Sequence, residues 1–300
     1  MKNSILIILI SAMSLLLTSC EDVVQLESVK TEALLAIDGT ITNQPGNQIL
    51  KLTKSQGYFD NSKPQTVQGA TVQVKDNLGN VFDFKDLKSD GTYTWTPKVT
   101  TQPMGVIGRK YTLQVKVEGE TYEAVSEIKR VPKIDSIRYQ FEKADFGQKG
   151  PKEGYDVHFF ANDFKGLGDC STMKAYKNGK QIGKLGDNII FDGGFTKGSV
   201  ADGLLFVEFS RRVYTELYNE NDIVKIELYS ITEDQFDYLS RVQNQINNTG
   251  LFASPTSAVG TNIFNVNRNS TKKAAGWFGA SAVNILETKV EKTKATTNLK

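Results

Sequence analysis

Gly69-Ala70-Thr71-Val72-Gln73-Val74-Lys75-Asp76 sets Ala70, Val72 and Val74 at alternate positions, with Thr71, Gln73 and Lys75 between them. That period of two is the side-chain period of a β-strand with one buried face. Asn77-Leu78-Gly79-Asn80 is a turn cluster, and Val81, Phe82 and Phe84 form the returning strand. The pattern recurs on both sides. Leu34 to Ile41 and Gln48 to Leu52 flank the turn Asn43-Gln44-Pro45-Gly46-Asn47, and Ser89-Asp90-Gly91 leads into Thr92 to Trp95. Tyr111 to Val117 alternates cleanly, turns at Glu118-Gly119-Glu120 and returns through Tyr122 to Ser126. Short strands at this spacing, each bounded by turn signals, predict a β-sandwich over residues 32–131.

Gly-Ala-x-Val-x-Val-x-Asp followed by Asp-Gly-x-Tyr resembles the immunoglobulin-like and prealbumin-like modules of exported bacterial proteins. Val131-Pro132-Lys133-Ile134 marks a junction, because Pro132 cannot donate to a ladder. Beyond it, Ser136 to Phe141, Tyr155 to Ala161, Leu204 to Phe209 and Ile223 to Tyr229 are predicted strands, and Lys177-Asn178-Gly179-Lys180 is a hairpin turn. The one helix is predicted over 232–247. Thr232 and Gln235 form a capping box, Ile231 and Phe236 a staple, and Phe236, Leu239, Val242 and Ile246 an apolar stripe. The expected class is mainly β: a sandwich at 32–131, then a second β-rich α+β domain at 132–286. Gly276 to Val283 closes that domain as its last strand. Leu251 to Ala275 is a long loop, and residues 287–300, rich in Lys and Thr, are a disordered tail.

The first residues concern location. Lys2 precedes the apolar run Ile5 to Leu17, which is too short to cross a hydrocarbon layer of ~30 Å, and small residues lead into Cys20. Leu17-Thr18-Ser19-Cys20 resembles a bacterial lipobox. It implies a signal peptide at 1–19, lipidation at Cys20 and an acylated tether at 20–31. Two or more acyl chains give stable anchoring. Glu21 and Asp22 resemble the acidic export signal that displays Bacteroidota lipoproteins on the cell exterior; the alternative is the periplasmic face. The formal net charge of the full chain is +2, which gives no strong field for nucleic acid. Cys170 is the one thiol besides Cys20, so no internal disulfide is expected once Cys20 carries lipid.

Several pieces, in order, resemble one family of Bacteroidota lipoproteins, domain of unknown function forty-two forty-nine. They are Cys20-Glu21-Asp22-Val23, Ile37-Asp38-Gly39-Thr40-Ile41-Thr42, Tyr58-Phe59-Asp60-Asn61-Ser62, Gly69-Ala70-Thr71-Val72 and Val131-Pro132-Lys133-Ile134-Asp135-Ser136-Ile137. The helix after Tyr229-Ser230-Ile231, then Phe252-Ala253-Ser254-Pro255 and Gly276-Trp277-Phe278-Gly279-Ala280, complete the series. The resemblance implies an exported, lipidated protein. Members are often encoded beside TonB-dependent outer-membrane receptors, and no activity is established for them. A companion role at a nutrient-uptake receptor follows by analogy.

No catalytic constellation emerges. His158, the single histidine, shares a strand face with Asp156 and Phe160 and lacks a nucleophile in any recognisable motif. Cys170 has no basic neighbour in sequence. One His and one free Cys do not make a usual zinc site, and Asp76-Asn77-Leu78-Gly79-Asn80 and Asn219-Glu220-Asn221-Asp222 read as turns rather than calcium loops. No cofactor is expected. Asp135-Ser136-Ile137 resembles a Bacteroidota O-glycosylation acceptor, with Ser136 the modified residue. Tyr58-Phe59 and Trp277-Phe278 are each of a type to line a sugar or peptide platform, but core or loop-anchoring roles are preferred for both; Trp277 suits a packed final strand, and Tyr58 and Phe59, beside Asp60 in a loop, are the better candidates for an exposed ligand contact. The preferred function is a non-catalytic, lipid-anchored outer-membrane protein accessory to a TonB-dependent receptor. A structural or adhesive envelope component is the alternative, and a carboxylate-dependent hydrolase the third reading.

Overall fold

Alternating apolar residues build four sheets, and the chain does not fill them in sequence order. The computed structural model describes residues 32–57, 60, 62–143, 153–185, 187–194, 196–198, 201–213, 217–248 and 259–299. In the first part of the chain the strands are β1 (Leu35–Thr42), β2 (Gln48–Lys54), β3 (Thr71–Asp76), β4 (Val81–Phe84), β5 (Thr92–Trp95), β6 (Lys110–Val117) and β7 (Glu120–Glu127). After the Pro132 segment come β8 (Ile134–Lys143), β9 (Glu153–Ala161), β10 (Cys170–Lys177), β11 (Lys180–Ile182), β12 (Ile189–Phe191) and β13 (Ile223–Ile231). The last strands are β14 (Ile263–Asn265), β15 (Ala274–Ser281) and β16 (Val283–Lys289). Two short helices, α1 (Glu208–Arg211) and α2 (Glu233–Asn247), are the α-helices among the described residues.

One sheet runs β15-β1-β2-β5 and a second runs β14-β7-β6-β3-β4. Their inner faces share a core. Val72 and Val74 of β3 are buried while Thr71 and Lys75 are exposed, as the alternation predicts, and Tyr111, Leu113 and Val115 of β6 face the same interior. Glu118 and Gly119 take positive φ of 52° and 77°, the two-residue turn that matches strand twist. A third sheet runs β11-β10-β13-β16, with β12 also on β10, and β8 pairs with β9. These last two sheets enclose a second core that includes Val157, Phe159, Met173, Phe206 and Leu228.

The first core takes residues from both ends of the chain. Ile263, Ala274, Phe278, Ala280 and Ala282 are buried in it. Strand β14 lies within the stretch expected to be one long loop and pairs with β7. Strand β15 does not close the second part; it pairs in parallel with β1, from Leu35↔Ala274 to Thr42↔Ser281. The chain then passes Ala282 and enters the third sheet as β16. Ser230 fastens this crossing: its Oγ accepts from Ala282 N at 2.9 Å and donates to Lys129 O at 2.8 Å. Ala33–Ser55 and Ser62–Lys300 accordingly form one compact unit.

Two more expectations are corrected. Leu204 to Phe209 is a turn followed by α1 rather than a strand. Only Phe206 of this apolar run is buried, and its N–H donates to Ala161 O, so one anchoring residue and exposed neighbours replace an alternating face. Residues 287–299 are not a disordered tail. Strand β16 runs to Lys289, Val290 is fully buried in the second core, a 3₁₀ turn spans Lys292–Lys294, and Thr296 N donates to Tyr139 O at 2.9 Å. Pairing with β13, Val290 and Ala295 packed on the second core, and the buried Leu299 order a stretch whose composition reads as polar.

Candidate functional site

The parallel pairing of β1 and β15 sorts their side chains between two faces. Ile37, Ile41, Phe278 and Ala280 point into the first core. The registers Asp38↔Trp277, Thr40↔Gly279 and Thr42↔Ser281 place those residues on the opposite face. Two glycines make this possible. Gly276 has φ +89°, and a Cβ there would lie 2.0 Å from Ile37 O. A Cβ on Gly279 would lie 2.8 Å from Thr40 Oγ1 and 3.1 Å from Gln235 Nε2. The Gly276-Trp277-Phe278-Gly279 sequence therefore lets one strand approach β1 and α2 together.

Helix α2 covers this outer face. Thr232 Oγ1 accepts from Gln235 N at 3.2 Å, as the capping pattern requires. Phe236 and Leu239 pack with Ile231, Phe191 and Cys170, so Ile231 and Phe236 join one cluster as the staple predicts. Val242 is half-buried and Ile246 exposed, so the apolar stripe is used only over its first turns. Gln235 departs from the capping box. Its Oε1 is buried and accepts no hydrogen bond.

Between α2, β10, β13 and the outer face of β1 and β15 lies a cavity of about 230 Å³. Trp277 and Tyr238 form one wall, their rings stacked with centroids 4.7 Å apart and planes inclined by 26°. Three buried polar atoms of residues lining the cavity lack a hydrogen-bond partner: Gln235 Oε1, Trp277 Nε1 and Ser281 Oγ. All three are sealed from solvent, so they lie behind the cavity wall rather than on its surface.

Its charged lining is tied to the sheet behind it. The Lys174 ammonium sits 4.3 Å above the Tyr229 ring. Burial pushes Lys174 below the usual lysine value, against the charges of Glu227 and Asp38. Tyr229 Oη donates to Glu227 Oε2 at 2.7 Å, Tyr176 Oη donates to the same oxygen at 3.1 Å, and Lys225 Nζ donates to Oε1 at 2.7 Å. Burial alone would raise the Glu227 pKa; the bonds from Lys225, Tyr229 and Tyr176 outweigh it and hold the carboxyl low. Asp38 and Thr40 complete the opposite rim from β1. The arrangement supplies donors, acceptors and an aromatic wall, which is the chemistry of binding.

A profile of the domain of unknown function DUF4249 family matches residues 21–285. The chain belongs to the DUF4249 family. That family is associated with the outer membrane of Bacteroidota, and the matched span contains every element around the cavity. No curated protein matches the chain.

In this DUF4249 member the two described residues among the sequence-predicted site residues, Asp60 and Ser136, do not line the cavity. Cys20, Glu21, Asp22, Tyr58 and Phe59 lie outside the described residues. Asp60 is exposed, and its N–H donates to Gly57 O at 2.9 Å. Ser136 sits in β8 opposite Phe160, with its Oγ sealed from solvent and without a partner, which closes it to a glycosyl carrier in the folded protein. Cys170 is buried against α2, and burial, then the charge of Glu233, pushes its thiol up to about 12. Asp76 accepts from Leu78 N, Asn80 N, Asn80 Nδ2 and Arg109 Nη1 at 2.8–3.0 Å, the saturated carboxylate of a turn. Among the described residues no three His, Cys, Asp or Glu side chains group as metal ligands. No helix among them is long and apolar enough to cross a membrane.

His158 belongs to a second polar cluster on the outer face of β9. Its Nε2 lies 3.0 Å from Asp156 Oδ2, and Asp156 Oδ1 accepts from Arg212 Nε at 3.0 Å. Beside it Arg138 and Arg211 each hold a guanidinium 4.4 Å from the centre of the Phe160 ring. Arg211 is buried, and its Nε and Nη1 have no partner. Gln235, Ser281 and Lys174 were not singled out as site residues from sequence. The available signal was the Gly276 and Gly279 spacing around Trp277, which marks a strand that something must approach closely.

Proposed function

We propose that this protein is a lipid-anchored, non-catalytic binding component of the outer membrane, displayed on the cell exterior and accessory to a TonB-dependent nutrient-uptake receptor. The observation that carries the binding reading is the cavity beneath α2, with Trp277 and Tyr238 in its wall and Asp38, Thr40, Lys174 and Gln235 among its lining residues. Lipidation at Cys20 and export through Glu21 and Asp22 rest on the order of charged, apolar, small and cysteine residues at the start of the chain. The receptor partnership rests on the family setting. Two antiparallel-rich sheets on a common core favour an immunoglobulin-like or prealbumin-like sandwich as the scaffold, with β8 to β13 and α2 as a second module fastened to it through β15 and β16. A non-catalytic role is supported by the Cys170 thiol, which packs under α2, and by the single histidine, which is buried and bonded to Asp156 rather than set beside a nucleophile.

Purification from native membranes in a mild detergent tests the proposal. A TonB-dependent receptor is expected to co-purify, and Cys20→Ser is expected to move the protein out of the membrane fraction. Recovery without any receptor overturns the accessory role. A Cys20→Ser protein that stays in the membrane like wild type overturns the lipid anchor.

A further inference from the structure

We propose that the cavity beneath α2 binds a small organic carboxylate, with the Lys174 ammonium as its counter-ion. The inference rests on the reading of the chain as a binding protein and names the ligand class of that site.

Lys174 lies in the middle of β10 and lines the cavity together with Thr172, two residues before it on the same face. Its side chain is half-buried, and its Nζ rests 4.3 Å from the centre of the Tyr229 ring. Lys174 Nζ is not sealed from solvent, unlike Gln235 Oε1 behind the wall. Among the described residues it has no hydrogen-bond or ion-pair partner. A lysine withdrawn this far from water is ordinarily paired. Burial pushes its pKa below the usual lysine value, even against Glu227 and Asp38, the two carboxylates whose charge reaches it. Glu227 is the cross-strand neighbour of Lys174, but its oxygens are taken by Lys225, Tyr229 and Tyr176. Asp38 is exposed on the rim, where water screens it. The counter-ion is therefore missing from the protein itself. A carboxylate oxygen beside Nζ would supply both the charge and the acceptor.

The rest of the lining narrows the class. Lys184, the other basic residue there, is exposed, and its backbone N–H donates to Asp187 Oδ2 at 2.7 Å. It adds little to the field inside. A phosphate dianion carries more charge than one half-buried ammonium offsets, and Asp38 and Asp187 oppose it. A neutral sugar brings no charge to Lys174, and a cation is repelled by it. A monoanion fits. Gln235 offers it a neutral donor: the residue is buried, yet its Nε2 is not sealed and donates to no described residue. Gly279 leaves room beside that amide, since a Cβ there would stand 3.1 Å from Nε2. Leu185, Tyr238 and Trp277 also line the cavity and give a carbon skeleton apolar contact that a bare inorganic anion does not use.

The full chain would be purified in a non-ionic detergent and titrated calorimetrically at constant ionic strength in chloride. The probes are acetate, lactate, glutamate and benzoate, and separately inorganic phosphate, glucose and methylammonium. At least one carboxylate should bind saturably and more tightly than each of the last three. Lys174→Met, which removes the charge and keeps an apolar stem, should weaken that carboxylate by about tenfold or more. Gln235→Glu, which adds a negative charge to the lining, should weaken it as well. In the wild-type protein the same carboxylate should slow reductive methylation of Lys174 by formaldehyde and cyanoborohydride, read by peptide mass spectrometry, a comparison that needs no variant to fold. Absence of saturable binding by all four carboxylates overturns the assignment. So does phosphate, glucose or methylammonium binding as tightly as the best carboxylate, or undiminished affinity in folded Lys174→Met or Gln235→Glu. Methylation of Lys174 that the carboxylate does not slow overturns it too. Carboxylate binding without a co-purifying receptor would retain this inference and remove the accessory role. A receptor without carboxylate binding would do the reverse.

Discussion

The two parts of this protein treat buried polar atoms differently. In residues 32–131 the buried polar groups are paired. Tyr93 Oη donates to Val67 O and accepts from Ala70 N, Tyr111 Oη donates to Met104 O and accepts from Val106 N, and Ser126 Oγ accepts from Ala280 N. Asp76 is saturated. Among the described residues, the buried side-chain polar atoms without partners begin at Ser136. Some belong to residues lining the cavity, Gln235, Trp277 and Ser281; others lie around α1 and β9, at His158, Ser210 and Arg211; and the rest include Ser136, Asp163, Asn188 and Asp192. Satisfied cores are rigid supports, whereas unsatisfied groups persist where something else completes them or where strain is tolerated. The first part therefore has the character of a rigid support, and the unpaired polar atoms belong to the rest of the chain.

The largest expected effect would break that division by attacking the scaffold from the far end of the chain. Phe278 is fully buried in the first core although it lies beyond residue 270. Phe278→Ala should lower stability by about 3–5 kcal/mol, measured by urea denaturation. A loss under about 1 kcal/mol would mean that β15 is an accessory to the first core rather than part of it. Gly276→Ala should follow at about 2–3 kcal/mol, because its φ of +89° is strained for any side chain and Ile37 O occupies the space of a Cβ. An unchanged denaturation midpoint in Gly276→Ala would contradict the parallel β1–β15 pairing.

A matched pair of arginines sharpens the contrast. Arg109 donates to buried Asp76 at 3.0 Å, so Arg109→Met should cost about 1–2 kcal/mol. Arg211 is buried with two unpaired nitrogens, and burial pushes its pKa below the usual arginine value. Replacing an unpaired buried charge by an apolar side chain of similar length relieves desolvation. Arg211→Met should be neutral or stabilise by up to about 2 kcal/mol in the same assay. A loss above about 1 kcal/mol would show that its stacking on Phe160 outweighs the missing hydrogen bonds.

Much of this architecture is legible in sequence because its strands alternate. β3, β6, β7, β9 and β13 fall where period-two runs and turn residues place them, and Thr232 begins α2. What pairing a strand makes is not carried by its own pattern. Gly276 to Val283 reads as a strand in any sheet; only the approach of Ile37 O to Gly276 explains why it joins β1. The same limit hid the site. Gln235 satisfies a capping motif in sequence, yet in space its backbone caps the helix while its side chain faces the cavity. Trp277 and Phe278 are neighbours that period two sends to opposite faces, one to the cavity and one to the core. A few scattered apolar residues, Val290, Ala295 and Leu299, help order a tail that composition assigns to solvent.

The smallest effect distinguishes two carboxylates by the sign of their pH dependence. Asp163 is in the second part. Burial, then the charge of Asp169, raises its pKa from 3.8 to about 7, against a backbone bond from Phe164. Between about pH 4 and pH 7 the folded protein holds a proton that the unfolded chain has released, so stability falls as pH rises through that window and is level above it. Asp76 behaves in the opposite way. Burial would raise it, but the bonds from Asn80 and Leu78 and the Arg109 charge hold it below 3.8. Its contribution is complete above about pH 4 and is lost as pH falls further, because the unfolded chain then binds the proton first. Denaturation midpoints followed from pH 3 to pH 8 separate the two. Asp163→Asn should flatten the decline between about pH 4 and pH 7 and leave the acid limb intact. Asp76→Asn should make the acid limb shallower, with the remainder left to other lowered carboxylates such as Glu227 and Asp222, and leave the decline. If Asp163→Asn leaves the decline in place, the carboxyl is not held protonated by its surroundings, and the contrast between a paired scaffold and an unpaired second part fails at that residue.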